Sequence, residues 1–157
     1  SNATFSRKPL VAAVLTTLAV FSQRQDVTLT VGTGDNTVSG TVQNEQTWDE
    51  AWAQKFNENF KNAEGKVTIK DQNSDKITIS KDEANKTAGK LTNKLSSLTL
   101  NVGLDVAEGG TFVNNGTLEA NKAITVDGSL VNTGTLKTNA DLTVNGGFDN
   151  AKGTDGS

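Results

Sequence analysis

Large apolar residues recur at every sixth position over the last third of the chain. The series is Leu100, Val106, Phe112, Leu118, Ile124, Leu130, Leu136, Leu142 and Phe148. A small residue stands two positions before most of them, with Lys122 as the exception: Gly110, Gly116, Gly128, Gly134, Ala140 and Gly146. A longer register is superimposed, because residues 110–118 align with residues 128–136, eighteen positions later. A fixed internal period of this kind predicts a repeat architecture in which successive turns of the chain stack.

A coil of eighteen residues with three inward apolar positions predicts a three-sided solenoid turn, in which each side is a short strand. The inward residues then stack in three columns: Phe112 with Leu130 and Phe148, Leu118 with Leu136, and Ile124 with Leu142. Asn114, Asn132 and Asn150 share a further column, which predicts a ladder of side-chain amides. We expect the glycines to provide positive φ at the corners. The predicted fold class is mostly all-β, a parallel β-solenoid with coils over residues 99–152 and a tail over 153–157.

Residues 26–98 are predicted to add strands ahead of these coils. Polar and apolar residues alternate over Val27–Val31 and again over 37–42, with a glycine-containing turn between them. Residues 66–70 and 76–80 show the same alternation and predict a hairpin. The polar, lysine-rich residues 82–94 predict a surface excursion.

One helix is predicted over residues 47–61. Thr47 and Glu50 have the spacing of a capping box at its start. Four large aromatic residues follow one another at intervals of four, which places them on one helix face: Trp48, Trp52, Phe56 and Phe60. That face requires an apolar partner, and a lid on the first coil would protect its interior and its strand edges. An aromatic platform for carbohydrate is the alternative, and we favour the lid.

The N-terminal residues allow two interpretations. Residues 1–3 match the remnant of an expression tag and are left out of the fold. Within residues 4–25, a basic pair precedes an apolar run, as in a secretory signal peptide. No Ala-x-Ala cleavage site follows, however, and the run is short for a membrane span. We favour the alternative, a packed helix with four apolar residues on one side: Leu10, Val14, Leu18 and Phe21.

The amino-acid composition excludes most common kinds of catalytic site. The chain has no Cys and no His, and therefore neither a thiol nucleophile, a thiolate metal site nor the commonest general base. Residues 71–75 begin like a calcium loop, but Lys76 occupies the position that requires Gly, and we interpret the segment as a polar turn. The net charge is −3 with dispersed lysines, which argues against nucleic-acid binding. We predict no catalytic, cofactor-binding or metal-binding residues.

The repeat resembles those of known bacterial surface proteins. Gly-x-Phe/Leu-Val-Asn-x-Gly-Thr-Leu, with Thr-x-Val strands between copies, is similar to the passenger domains of autotransporters and to filamentous-haemagglutinin-type adhesins. The aromatic segment and the Lys-Val-Thr-Ile and Lys-Ile-Thr-Ile strands after it resemble the start of pectin-lyase-like surface domains. The resemblance covers roughly residues 45–150 and implies a right-handed β-helix. A left-handed hexapeptide helix has the same periods, but Lys122, Phe112 and Phe148 fit it less well.

These observations predict a non-catalytic structural or adhesive module of a secreted or cell-surface bacterial protein, cut from a longer chain in which the coils continue. The expected partners are a host glycan or an extracellular-matrix protein, and a second copy through the open C-terminal coil. A polysaccharide lyase or hydrolase on the same solenoid is the alternative. Against it, Arg7 and Arg24 precede the coils, and Glu119 and Asp141 fall on different sides. An ice-binding array is disfavoured, because the threonine columns of the repeat span only two copies.

Overall fold

A computed structural model describes residues 25–73 and 75–151 of the chain. Over these residues the elements are β1 Val27–Val31, β2 Thr37–Val38, β3 Thr41–Val42, β4 Glu45–Trp48, α1 Glu50–Gln54, β5 Val67–Lys70, β6 Lys76–Ile79, β7 Lys90–Asn93, β8 Leu98–Leu100, β9 Gly103–Val106, β10 Thr111–Asn114, β11 Thr117–Ala120, β12 Ile124–Val126, β13 Ser129–Asn132, β14 Thr135–Thr138, β15 Leu142–Val144 and β16 Gly147–Asn150. The predictions for residues 4–24 and for the tail at 153–157 lie outside the described residues.

The strands form three sheets in which the strand pairings are parallel. Sheet A has the order β2-β1-β5-β8-β11-β14, sheet B the order β3-β6-β9-β12-β15, and sheet C the order β4-β7-β10-β13-β16. From β2 onward, successive strands pass from one sheet to the next, and one circuit of the three sheets makes a rung. Rung 1 is β1, β3 and β4, with β2 paired to the outer edge of β1; rung 2 is β5–β7, rung 3 is β8–β10, rung 4 is β11–β13 and rung 5 is β14–β16. This confirms the parallel β-solenoid, while its right-handed sense stays a prediction.

The apolar core fills the space between the three sheets. The inward residues predicted from Leu100 to Leu130 are at most 2% exposed. They stack as expected: Phe112 pairs with Leu130 and Leu130 with Phe148, Leu118 with Leu136, and Ile124 with Leu142. Burial decreases in rung 5, where Leu136 and Leu142 are half-buried and Phe148 is 44% exposed. The predicted stack is therefore present, and its last rung is the least protected.

The solenoid begins well before residue 99, where the coils were predicted to start. β1 pairs with β5 and β5 with β8, so residues 27–93 already provide two rungs. The predicted hairpin of residues 66–70 and 76–80 is wrong, because β5 lies in sheet A and β6 in sheet B. Apolar alternation predicts a strand with one buried face, but it does not distinguish an antiparallel partner from a parallel one. Residues 82–94 are likewise not wholly a surface excursion, since β7 buries Leu91 and Asn93.

The predicted helix over residues 47–61 is wrong at both ends. α1 spans only Glu50–Gln54, and its N-cap is Asp49, whose Oδ1 accepts a hydrogen bond from the Trp52 amide at 2.9 Å. Thr47 and Trp48 belong to β4, which pairs with β7 in the next rung. Backbone pairing between rungs therefore overrides the local helix signal.

The repeat glycines have a different role from the one predicted. In the described part of the chain, positive φ among glycines occurs at Gly32, Gly34 and Gly109, none of which belongs to the period-six series. A Cβ added at most of the repeat glycines would instead collide with a backbone carbonyl oxygen of the preceding rung: Leu95 for Gly116, Ala107 for Gly128, Gly116 for Gly134 and Gly128 for Gly146. These positions therefore require Gly because neighbouring rungs approach too closely for any side chain.

Candidate binding faces and groove

A ladder of asparagine side chains runs along the inner side of sheet C. Asn93 Nδ2 donates to Asn114 Oδ1 at 2.9 Å, Asn114 Nδ2 to Asn132 Oδ1 at 2.9 Å, and Asn132 Nδ2 to Asn150 Oδ1 at 2.8 Å. Asn114, Asn132 and Asn150 thus form the predicted column. Asn93 was missed because it precedes Asn114 by 21 residues, whereas the later members are 18 apart. Asn93 and Asn114 are fully buried, so this part of the ladder lies in the core and is closed to ligands.

Polar side chains also form ladders at the outer corners. Between sheets A and B, Asn139 Nδ2 donates to Asn121 Oδ1, and Asn121 Nδ2 to Asn101 Oδ1, each at 2.7 Å. Between sheets B and C, Asn145 Nδ2 donates to Asp127 Oδ1 at 2.9 Å. These contacts join side chains of successive rungs, so the outer corners are ordered by the same register as the core.

The four aromatic residues predicted to share a helix face lie together, although only part of the segment is helical. The rings of Trp48 and Trp52 stack with centroids 4.6 Å apart, and Phe56 meets Trp52 edge-on at 5.1 Å. Trp48 and Phe60 are buried in the core, whereas Trp52 and Phe56 are half-buried against it. The cluster therefore attaches the segment around α1 to the first rungs, and its role as a lid stays a prediction.

Threonine also recurs on the outer faces of the rungs that precede the sequence repeat. On sheet B one register position holds Thr41, Thr78, Asp105, Thr125 and Thr143 in successive rungs. On sheet A the corresponding position holds Thr28, Thr68, Thr99, Glu119 and Lys137. Thr125 and Thr143 therefore remain a run of two threonines, since Asp105 precedes them. Thr28, Thr68 and Thr99 form a separate run of three, which the sequence repeat does not contain because the first rungs carry insertions at their corners.

Ion pairs join neighbouring rungs across these faces. Lys76 Nζ lies 2.7 Å from Asp105 Oδ2, and this hydrogen bond, with the attraction between the charges, raises the pKa of Lys76. Lys137 Nζ lies 3.7 Å from Glu119 Oε2 on sheet A. Exposed pairs of this kind contribute little to stability. They do interrupt both threonine columns with charge, at rung 3 on sheet B and at rungs 4 and 5 on sheet A.

The acidic residues weighed for catalysis are on different sides of the solenoid. Glu119 belongs to β11 of sheet A, and Asp141 directly precedes β15 of sheet B. Arg7 and Arg24 lie outside the described residues. Within residues 25–73 and 75–151, no group of three or more His, Cys, Asp or Glu side chains is placed to hold a metal ion. No helix in the part of the chain described above has the length and apolar character needed to cross a membrane.

A groove of about 720 Å³ opens beside rung 1. One wall comes from the start of β1 and the turn before β2, and the other from the end of α1 and the segment after it: Asp26, Val27, Thr28 and Asn36 face Gln54, Lys55, Phe56, Asn57 and Glu58. Asn57 Nδ2 donates to the Asp26 carbonyl oxygen at 3.2 Å and joins the two walls. Sequence patterns do not indicate this groove, because its walls come together only when the first coil closes.

The strand order and register define the chain as a parallel β-solenoid. No family model, no curated protein and no solved structure matches it. The resemblance to autotransporter passenger domains, filamentous-haemagglutinin-type adhesins and pectin-lyase-like surface domains therefore stays a prediction from the repeat residues.

Proposed function

We propose that the chain is a non-catalytic structural and adhesive module of a bacterial protein that is secreted or displayed on the cell surface. The observation that supports this most is the outer surface of the solenoid. Its sheets present outward side chains in register from rung to rung. Faces of this kind offer an extended ligand polar contacts at regular intervals, as the extended surfaces of other repeat proteins do.

The composition and the repeat motif support the location. Chains without Cys, His, Met or Tyr carry few side chains that react or oxidise, which suits an exterior protein. The motif Gly-x-Phe/Leu-Val-Asn-x-Gly-Thr-Leu resembles repeats of surface-displayed bacterial proteins. Host glycans and extracellular-matrix proteins are the partners that we expect for the outer faces.

A second copy is the partner that we expect at rung 5. In the described residues, β14, β15 and β16 each pair with a single neighbouring strand. Unpaired strand edges favour the addition of further strands, and the exposed ring of Phe148 adds apolar area at the same end. Association through this end stays a prediction.

The proposal is tested by applying the labelled chain to an array of glycans and matrix proteins, with circular dichroism to establish that it is folded. We expect saturable binding to at least one class of ligand, lost when the chain is unfolded by heat. A folded chain that binds nothing on the array would contradict an adhesive role and leave a purely structural one. Incubation of the chain with the same polysaccharides, followed by a reducing-end assay, tests the non-catalytic part. Release of new chain ends would favour the lyase or hydrolase alternative.

A further inference from the structure

The groove beside rung 1 has the size of a site for a small ligand or for the end of a longer one. Its volume of about 720 Å³ lies within the range of roughly 300–1,000 Å³ that is typical of ligand pockets. Hydrogen bonds also hold each wall in place. Besides the bond from Asn57 to Asp26, the Asp26 Oδ1 atom accepts from the Lys66 amide at 2.9 Å, and Gln54 Nε2 donates to the Phe60 carbonyl at 3.2 Å. A preformed groove loses little conformational freedom when a ligand binds.

The chemistry of the lining matches a neutral sugar. Asp26 provides a carboxylate, Asn36 and Gln54 provide side-chain amides, and Thr28 provides a hydroxyl. These groups donate to and accept from the hydroxyls of a sugar. Phe56 adds an apolar ring, fixed by its edge-on contact with Trp52 at 5.1 Å, against which the C–H face of a sugar ring would pack. The lining carries one positive charge, on Lys55, and two negative charges, on Asp26 and Glu58, so it has no excess of positive charge to attract an anionic polymer.

The groove continues into one of the threonine columns. Thr28 lines the groove and is also the first member of the sheet A column, in register with Thr68 and then Thr99. Neighbouring parallel strands are about 4.7–4.9 Å apart, so these three hydroxyls form a regular row of groups that both donate and accept. The row ends at the ion pair of Glu119 and Lys137. A ligand that leaves the groove along this column would therefore meet three hydroxyls before it reaches that ion pair.

We propose that the groove binds a neutral glycan chain, which continues over the sheet A hydroxyls of Thr28, Thr68 and Thr99. This inference rests on the adhesive function proposed above and names its ligand class and its site. The outer face of sheet B is expected to take no part, since Asp105 and Lys76 place an ion pair in the middle of its column.

The test is affinity gel electrophoresis of the full chain through gels that contain a neutral polysaccharide, with dextran, mannan and xyloglucan as probes and alginate as the anionic comparison. The groove variant carries Asp26→Asn and Thr28→Val. Both changes preserve side-chain shape, and asparagine retains an oxygen for the Lys66 amide. The matched control carries Thr125→Val on sheet B and Asp127→Asn at the corner beside it. The control and the groove variant therefore have the same composition and net charge. We expect the groove variant to bind a neutral probe at least tenfold more weakly, and the control to change its affinity less than twofold.

Three results would overturn the inference, and they separate it from the proposed function. If the parent chain binds a neutral polysaccharide, and the two double variants weaken that binding equally or not at all, the groove is excluded as the site while the adhesive function stands. Binding to alginate or to a matrix protein, without retardation by any neutral probe, would exclude the ligand class alone. The absence of binding to every probe and to every protein on the array would contradict both proposals.

Discussion

Replacement of Asn114 by leucine removes a middle side chain of the inner asparagine ladder while keeping the same number of side-chain heavy atoms. Asn114 accepts a hydrogen bond from Asn93 Nδ2, and it donates to Asn132 Oδ1 and to the carbonyl oxygen of Thr135, each at 2.9 Å. Leucine makes none of these bonds. Because Asn114 is 0% exposed, water has no access to replace the lost partners.

The expected loss of stability follows from the groups left behind. Asn93 Nδ2 keeps a longer contact with the Thr117 carbonyl at 3.4 Å, and the carbonyl of the exposed Thr135 can accept from water instead. Asn132 Oδ1, by contrast, loses the donor that the ladder provides. A buried polar group without a partner costs about 1–3 kcal/mol. One complete loss and one partial loss therefore lower the free energy of unfolding by about 2–4 kcal/mol. For a chain of this length such a change lowers the melting temperature by roughly 5–15 °C.

The measurement is urea unfolding followed by far-ultraviolet circular dichroism, which reports on the whole solenoid, and by tryptophan fluorescence. The matched control is Asn150→Leu. Asn150 is exposed in rung 5 and accepts a single bond from Asn132 at 2.8 Å, which water can replace, so its cost is less than about 1 kcal/mol. If Asn114→Leu unfolds at the same urea concentration as the parent, or if both variants lose equal stability, the ladder does not stabilise the core as argued.

Two further predictions concern the corners. Gly128→Ala is expected to lower the free energy of unfolding by about 1–3 kcal/mol, because the new Cβ would meet carbonyl oxygens of the preceding rung. Gly147→Ala is the control, with no atom closer than 3.7 Å, and equal urea midpoints for the two would refute the steric argument. Hydrogen bonds from Asn85 and from the Ala84 amide lower the pKa of Asp82 below its ordinary value of 3.8. These hydrogen bonds to the ionised Asp82 therefore stabilise the folded chain fully above pH 3.8, and their contribution is lost as the pH falls through the lowered pKa. Asp82→Asn should reduce the pH dependence of the melting temperature in this acidic range. An unchanged dependence would show that the hydrogen bonds from Ala84 and Asn85 to Asp82 do not stabilise the ionised carboxylate.

The sequence predicts the later rungs well because their corners are short and uniform. Phe112, Leu130 and Phe148 repeat at eighteen residues and stack in the structure. The first coil is different. The Lys66 amide bonds to the Asp26 side chain 40 residues earlier, because α1 and the segment after it are inserted at one corner. An insertion of this length removes any fixed period, so the rungs before residue 99 could not be derived from repetition.

The other discrepancies arise from contacts between rungs. Trp48 fits a helical face by its spacing, but its backbone lies in β4 and pairs with β7. The repeat glycines resemble turn residues in the sequence, whereas their actual requirement comes from a carbonyl oxygen on the preceding rung. The candidate groove depends on Asp26 and Asn57 meeting across the closed first coil. Local patterns do not contain these distances, which are set by tertiary pairing.

The parallel pairing of the rungs also determines how the chain responds to mechanical force. Hydrogen bonds between strands of neighbouring rungs point along the solenoid axis, so tension along that axis detaches one rung at a time. A detached coil of 18 residues lengthens the chain by about 60 Å at roughly 3.3–3.6 Å per residue. The first coil, which spans 40 residues, lengthens it by about 130–145 Å. Extension thus proceeds in short, even steps through the last coils and in a longer one at the first, so the molecule dissipates tension gradually rather than in a single rupture.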